Sequence, residues 1–272
     1  MANTTHSGLK WIMRAGYSAR GAIYLLVGTL ALLAAFTSAS ASGTKDALVD
    51  LRALPLGIPA LWAIGLGMIA YLIWRIAAGI ADVEDHGTSL KGLTARGLQI
   101  ITGVLHALIG IAIIGLAAGG QGSGDRSAQD WTQVLMSIPM GRYLVAAGAL
   151  ILLGAGVYYA QKGWRGTYKS HLERTRLTER VDPILTVGLV IYGLMMALIA
   201  LSLAFAALNA DPTQAGGLGK ALQDLRAMAF GRLLLGGAGL GLLAFSLYNF
   251  IEAAYRVVPK FSDTDIATLM DR

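Results

Sequence analysis

Cysteine is absent from the 272 residues, which excludes disulfide frameworks, thiolate metal sites and cysteine nucleophiles. Charge is scarce: Asp, Glu, Lys and Arg make up 14% of the chain, against about 25% in soluble domains. Proline occurs only six times and no low-complexity run is present, so the low charge is not that of a linker. Familiar catalytic patterns are missing as well. There is no zinc-type His/Glu spacing, P-loop, nucleophile elbow or dinucleotide fingerprint. The glycine run 236–241 follows no expected strand and suggests helix packing instead of phosphate binding. What the chain has in excess is apolar surface and glycine. Hydrophobic residues reach 55%, glycines number 35 and mean hydropathy is +0.60, a composition suited to membrane helices that approach closely.

Six apolar stretches, 17–36, 59–81, 97–118, 143–160, 183–208 and 233–251, each come close to the ~20 residues that cross ~30 Å of hydrocarbon as a helix. Most of the 22 Lys and Arg residues lie in the N-terminal segment, the second and fourth connections and the C-terminal tail. By the positive-inside rule both termini are expected to be cytoplasmic, in a multi-pass protein of the cell (inner) membrane. The net charge of +6 is then a matter of topology, and no nucleic-acid partner is expected. A rival reading takes Lys10, Arg14 and Arg20, the first apolar run and the small residues Ser38 to Ser42 as a signal peptide. Internal repetition argues against it, because the first helix has a counterpart deep inside the chain.

That repetition organises the whole sequence. An amphipathic lead-in, a Pro/Ala-x-Gly corner and an apolar helix occur three times, with corners at Gly57, Gly141 and Gly231. The interval of roughly 84 to 90 residues exceeds that of solenoid repeats and leaves room for two crossings per unit. In the first helices Arg14, Gly21, Tyr24 and Gly28 recur as Arg96, Gly103, His106 and Gly110; the third unit keeps Tyr192 but has Met196 at the Gly28 position. In the second helices the matched positions are Gly67, Ile151 and Gly241; Tyr71, Ala155 and Phe245; and Trp74, Tyr158 and Tyr248. The last, aromatic in every unit, is expected to anchor the helices in the headgroup layer.

These residues resemble a family of uncharacterised membrane proteins, the domain of unknown function 1206, in which a two-helix region occurs three times. Unit one departs from the pattern with Ile58 where the others have Arg142 and Arg232. The resemblance implies architecture and supplies no reaction, substrate or cofactor. The expected fold is an all-α membrane protein: a single membrane domain over 1–272, with repeats at 11–85, 93–165 and 177–256 and a cytoplasmic tail at 257–272. Its six transmembrane helices form three tandem hairpins in a quasi-threefold bundle. The lead-ins are expected to be short helices in the outer interface, covering the mouth of the bundle.

Few side chains in the spans could carry chemistry. Arg75 is expected to snorkel or to pair with Asp82, with a lipid-phosphate or substrate contact as the functional alternative. Asn249, Glu252 and Arg256 share one helix face, and an i,i+4 ion pair is the expected use of Glu252. His106 replaces a tyrosine of the first repeat and is expected to make an interhelical hydrogen bond; a second intramembrane histidine for bis-His haem is lacking. Arg142 and Arg232 open helices against the macrodipole and call for headgroups or the acidic lead-in residues Asp46, Asp130 and Asp224. Gly21, Gly28, Gly103, Gly110, Gly237 and Gly241 are candidate packing positions. The basic connection 162–180 is expected to touch anionic lipid or an anionic partner.

No catalytic, metal or cofactor residues emerge, and no cofactor is expected. The expected function is that of a non-enzymatic, structural or accessory membrane protein. It would bind membrane lipids, a partner membrane subunit or a second copy of itself through Gly-rich helix faces. The alternative is a small solute transporter or channel along the repeat axis, for which Thr102, Thr186, Ser202 and Ser246 are the few polar candidates. A membrane enzyme ranks last, since the helices lack a convergent acid, base or metal set.

Overall fold

The computed structural model describes residues 2–37, 43–119, 128–258 and 268–270. The small-residue run 38–42 and most of the tail 257–272 lie outside the described residues. Among the described residues six helices are long and apolar enough to cross a membrane, the form in which a chain in lipid satisfies its own backbone. They are α1 (Ala2–Phe36), α3 (Gly57–Ala81), α4 (Leu90–Ala117), α6 (Gly141–Trp164), α7 (Arg176–Asn209) and α9 (Gly231–Tyr255). Each starts or ends beyond its apolar stretch, because capping and polar turns extend it. Ser89 accepts a hydrogen bond from the Gly92 amide to start α4, and Thr175 and Thr178 form a reciprocal cap at the start of α7. The lead-ins are helical as expected: α2 (Thr44–Ala53), α5 (Ala128–Met136) and α8 (Leu218–Ala227).

Every unit turns the same corner. Leu56, Met140 and Phe230 adopt left-handed φ values of 64°, 63° and 59°, and the glycine after each opens a long helix. A Cβ at Gly57, Gly141 or Gly231 would fall 1.9, 1.7 or 1.9 Å from the carbonyl oxygen of Leu51, Leu135 or Arg226. No larger residue fits, which is why the glycine recurs. The short helices gather at this corner end, where α2 and α8 start side by side: a Cβ at Gly43 would lie 2.8 Å from the Gly219 Cα. The start of α1 and the end of α9 lie at the opposite end of the bundle, the termini end.

Around the bundle the order is α4, α3, α1, α9, α7, α6. Three seams join neighbouring units, and glycine carries each of them. A Cβ at Gly28 of α1 would meet the Gly239 carbonyl of α9 at 3.0 Å, and one at Gly110 of α4 the Gly65 carbonyl of α3 at 2.9 Å. These contacts are equivalent under the repeat, Gly65 and Gly239 standing equally far past their corners. The third seam, α6 on α7, has Ala149 and Met196 at those positions and uses another pair: a Cβ at Gly156 would lie 2.7 Å from the Gly193 carbonyl.

The seams inside the hairpins are less regular. In unit one a Cβ at Gly67 would sit 2.4 Å from the Ala19 Cβ, and in unit three a Cβ at Gly241 would sit 2.2 Å from Ile191. The middle unit has Ile151 at that position, and Ile151 is exposed. Among the described residues no comparable packing joins α4 to α6. The chain is therefore an all-α membrane protein of three hairpins in a quasi-threefold ring, with one correction: the middle hairpin does not close on itself. An isoleucine in place of the seam glycine keeps the two backbones apart. The corner-end half of the core is filled by apolar side chains, among them Val27, Leu61, Ile113, Leu235 and Leu242, all buried.

Candidate functional site

The matched aromatic positions converge in the termini-end half of the bundle, around Arg20, which stands with Lys10 and Arg14 at the entry to the first apolar run. Arg20 of α1 is 2% exposed. Its guanidinium carbon lies 5.2–5.9 Å from the ring centroids of Tyr24, Tyr71, Tyr159, Tyr192 and Phe245, within cation–π range. Nη1 donates to the Tyr71 hydroxyl at 3.4 Å, and Nη2 to those of Tyr159 and Tyr192 at 3.4 and 3.2 Å. The Tyr24 hydroxyl in turn donates to Tyr192 at 3.1 Å. Tyr71 also packs its ring against His106 at 5.0 Å. Every crossing thus contributes to one cage: Arg20 and Tyr24 from α1, Tyr71 from α3, His106 from α4, Tyr159 from α6, Tyr192 from α7 and Phe245 from α9. The cage is not sealed, since Tyr24, Arg75, His106 and Tyr159 are only half-buried.

The repeat explains how the cage is assembled. Tyr24, His106 and Tyr192 are the matched aromatics of the first helices, while Tyr71 and Phe245 match in the second. Ala155 breaks the second set, and Tyr159, one turn further along α6, fills its place. Arg20 has no counterpart: Thr102 and Gly188 stand one turn before His106 and Tyr192, as Arg20 does before Tyr24.

Towards the termini end the cage continues into an ion cluster. Arg256 bonds Glu252 through Nη1 and Glu84 at 2.7 Å through Nη2. The Tyr248 hydroxyl donates to Glu252 and accepts from Lys162 Nζ at 3.0 Å. Gln99 donates to Glu84 at 2.8 Å. Arg256 also lies over the Tyr17 ring at 5.6 Å, and Tyr17 meets Tyr71 edge-on at 5.4 Å, which links the two groups. Burial acts to raise the Glu84 carboxyl, but the Arg256 guanidinium outweighs it and, with His86, holds it well below the usual range. Among the described residues no group of three His, Asp and Glu side chains could hold a metal ion.

The expected Glu252–Arg256 pair is present, joined by the distant Glu84. Asn249 takes no part in it; its amide donates to the Phe245 carbonyl at 2.7 Å. Arg75 does not reach Asp82. Asp82 lies beyond the helix end in a left-handed cap and turns its carboxylate to the His86 and Gly87 amides. Arg75 instead lies over the Tyr71 ring at 5.5 Å. The His106 Nδ1 bonds the Thr102 carbonyl of its own helix at 2.7 Å, so the expected interhelical bond is replaced by one within a turn. Trp74 and Tyr248 are buried inside the protein and so do not face lipid; Tyr158 alone of that set is exposed.

At the corner end Arg142 and Arg232 are exposed. Arg142 lies over Tyr143 at 5.2 Å, and the lead-in acids do not pair with either arginine among the described residues: Lys220 takes Asp224 at 2.7 Å, and Asp46 caps the Gly43 amide at 3.1 Å. Of the candidate glycines, Gly21 packs against Phe250, Gly28 against α9, Gly103 against Leu72 and Arg75, Gly110 against α3 and Gly241 against Ile191. Gly237 meets nothing within 4 Å, because it lies on an exposed face of α9. In the basic connection Lys162 turns inward to Tyr248, and Lys169 pairs with Asp182 at 2.6 Å; Arg165, Arg176 and Arg180 stay exposed.

The same connection supplies a pH-sensitive group. The His171 carbonyl accepts from Val257 N at 2.8 Å, docking the chain after α9. Burial, then Arg256 and Lys162, push its imidazole down to about 4, while Glu252 and Glu84 pull weakly the other way. Between pH 6.5, its ordinary value, and about 4, the unfolded chain binds a proton there that the folded chain does not. Stability therefore falls on acidification through that window. The melting temperature in detergent is expected to decline from pH 7 to pH 5 (roughly the upper part of that window), and less steeply in His171→Gln. A wild-type melting temperature that stays flat would contradict this assignment.

The family described as Domain of Unknown Function (DUF1206) matches the chain three times, over 15–82, 99–166 and 187–256. Each match takes in one pair of crossings. An uncharacterized protein of Bacillus subtilis (strain 168), YxxB, is 28% identical over 257 residues, 93% of either chain. No solved structure matches.

Proposed function

The chain belongs to the DUF1206 family, and from the seam that its middle unit leaves open we propose that it is a non-enzymatic membrane protein that binds an amphiphile of the surrounding bilayer. The carrying observation is the break in the ring between α4 and α6, behind which the half-buried cage residues Tyr24, His106 and Tyr159 stand. A headgroup entering there would meet polar hydroxyls and cations, while its chains stayed against exposed apolar residues such as Leu105 and Val157. The positive-inside rule places the termini end, and with it the cage, on the cytoplasmic side of the cell membrane.

Two features favour binding over the alternatives. The apolar packing of the corner-end half supports a site over a solute path along the axis. Gly21, Gly28, Gly103, Gly110 and Gly241 are engaged within the chain, which favours lipid over a partner subunit docked on glycine faces. Of the buried carboxylates, Glu84 and Glu252 are engaged by Arg256 and Asp182 by Lys169, in keeping with a non-enzymatic role.

Photocrosslinking tests the reading. With the protein in nanodiscs that contain a lipid carrying a photoreactive group next to its headgroup, adducts are expected on Tyr24, His106 and Tyr159. Adducts confined to outward residues such as Leu66, Leu150 and Leu240 would refute lateral entry.

A further inference from the structure

The charges around the cage do not balance, and the imbalance identifies what the site takes. Four buried or half-buried cations, Arg20, Arg75, Lys162 and Arg256, line the cage and its ion cluster with two buried carboxylates, Glu84 and Glu252, while the buried Asp182 pairs separately with Lys169 at 2.6 Å. Arg256 engages both carboxylates, and Lys162 reaches Glu252 only through the Tyr248 hydroxyl. Among the described residues Arg20 and Arg75 have no carboxylate partner. In each of them Nε is buried without a hydrogen-bond acceptor.

The partners that Arg20 does have are weak for a cation in low dielectric. Its three tyrosine bonds measure 3.2–3.4 Å, longer than the about 2.7–2.9 Å of a guanidinium on an oxyanion. Aromatic faces offset part of the cost of burying the charge, yet a ring offers no lone pair to an N–H. Tyr71 lies between the two arginines, within 5.7 Å of Arg20 and 5.5 Å of Arg75. Two guanidinium groups across one ring, both short of acceptors, match a small oxyanion with several oxygens.

We propose that the cage binds a phosphate-type anionic group between Arg20 and Arg75, with the Tyr159 hydroxyl as a further donor. Arg20 would fix it at the closed wall of the cage, and half-buried Arg75 would meet it first from the open side. This rests on the amphiphile reading for its source of ligand, since the same chemistry is offered by an anionic lipid headgroup and by free phosphate.

Binding to delipidated, purified full-length protein separates these. The probes are dioctanoyl phosphatidic acid, dioctanoyl phosphatidylcholine and inorganic phosphate, read by melting temperature and by titration. Phosphatidic acid is expected to bind about tenfold more tightly than phosphatidylcholine, the factor carried by one charge-assisted hydrogen bond of this kind. Arg75→Gln is expected to abolish that preference and Arg75→Lys to restore part of it; Arg20→Gln should act likewise, and Arg75 carries the test if the Arg20 variant does not fold. Equal affinity for the two lipids, unchanged in the Arg75 variants, would overturn the anion site while leaving the amphiphile reading in place. Binding of inorganic phosphate without either lipid would keep the anion site and overturn the amphiphile reading. No binding of any probe would remove both.

Discussion

Arg256→Ala is expected to lower the stability of the protein by about 3–5 kcal/mol, the cost of leaving buried charge without its partner. The side chains of Glu252, Glu84 and Arg256 are 0%, 5% and 4% exposed, so water cannot replace the lost guanidinium. Two carboxylates depend on this single cation, which makes its removal worse than loss of an ordinary ion pair. Lys162 can compensate little, because the Tyr248 hydroxyl stands between it and Glu252. Neutralising the set together, with E84Q and E252Q added to R256M, is expected to recover much of the loss, since no unpaired charge then remains buried. Heat-induced aggregation in detergent measures both variants. An Arg256→Ala protein that melts like wild type would show the cluster to be solvated, contrary to its burial.

A second large effect is expected at two positions on one helix. Gly156→Val should detach α6, whereas Gly154→Val, two residues away (roughly half a turn of a helix), should be nearly silent. A Cβ at Gly156 would fall 2.7 Å from the Gly193 carbonyl and 3.1 Å from the Ala197 amide, but at Gly154 it meets nothing within 4 Å. Both substitutions change helix propensity equally, so the difference isolates packing. Overpacking a seam costs about 1–3 kcal/mol and occasionally more. Here the effect should reach the upper end, because among the described residues α7 is the one crossing against which α6 packs closely. Proteolysis in the connection after Trp164 is the readout that distinguishes detachment from general loosening. Equal sensitivity of the two variants would argue that α6 is held by something other than the glycine contact.

These contrasts show what could be seen in the sequence. The corner glycines, the matched tyrosines and the six crossings repeat, and repetition made them legible without neighbours. Ile151 was visible as the odd member of its set, but that it leaves the middle hairpin open follows only once α4 and α6 are placed in space. Arg20 was illegible for two reasons. It follows Lys10 and Arg14, where a basic flank is the ordinary expectation, and its counterparts Thr102 and Gly188 hide it from the repeat. The pairing of Glu84 with Arg256 joins residues from the first and last units, and no local spacing announces such a contact. Trp74 and Tyr248 have the composition of interface anchors; only the packing of α3 and α9 shows them to be interior.

The break between α4 and α6 also bears on how the ring is held together. The middle unit supplies both sides of the break, α4 and α6, whereas the tightly packed α1/α9 seam joins the first unit to the last. Helices of one unit thus stand apart at the break, while helices far apart in sequence hold each other at the α1/α9 seam. Under the lipid-binding proposal, the wall that packing leaves loose is the one a guest would enter, while the α1/α9 seam keeps the first and last units together.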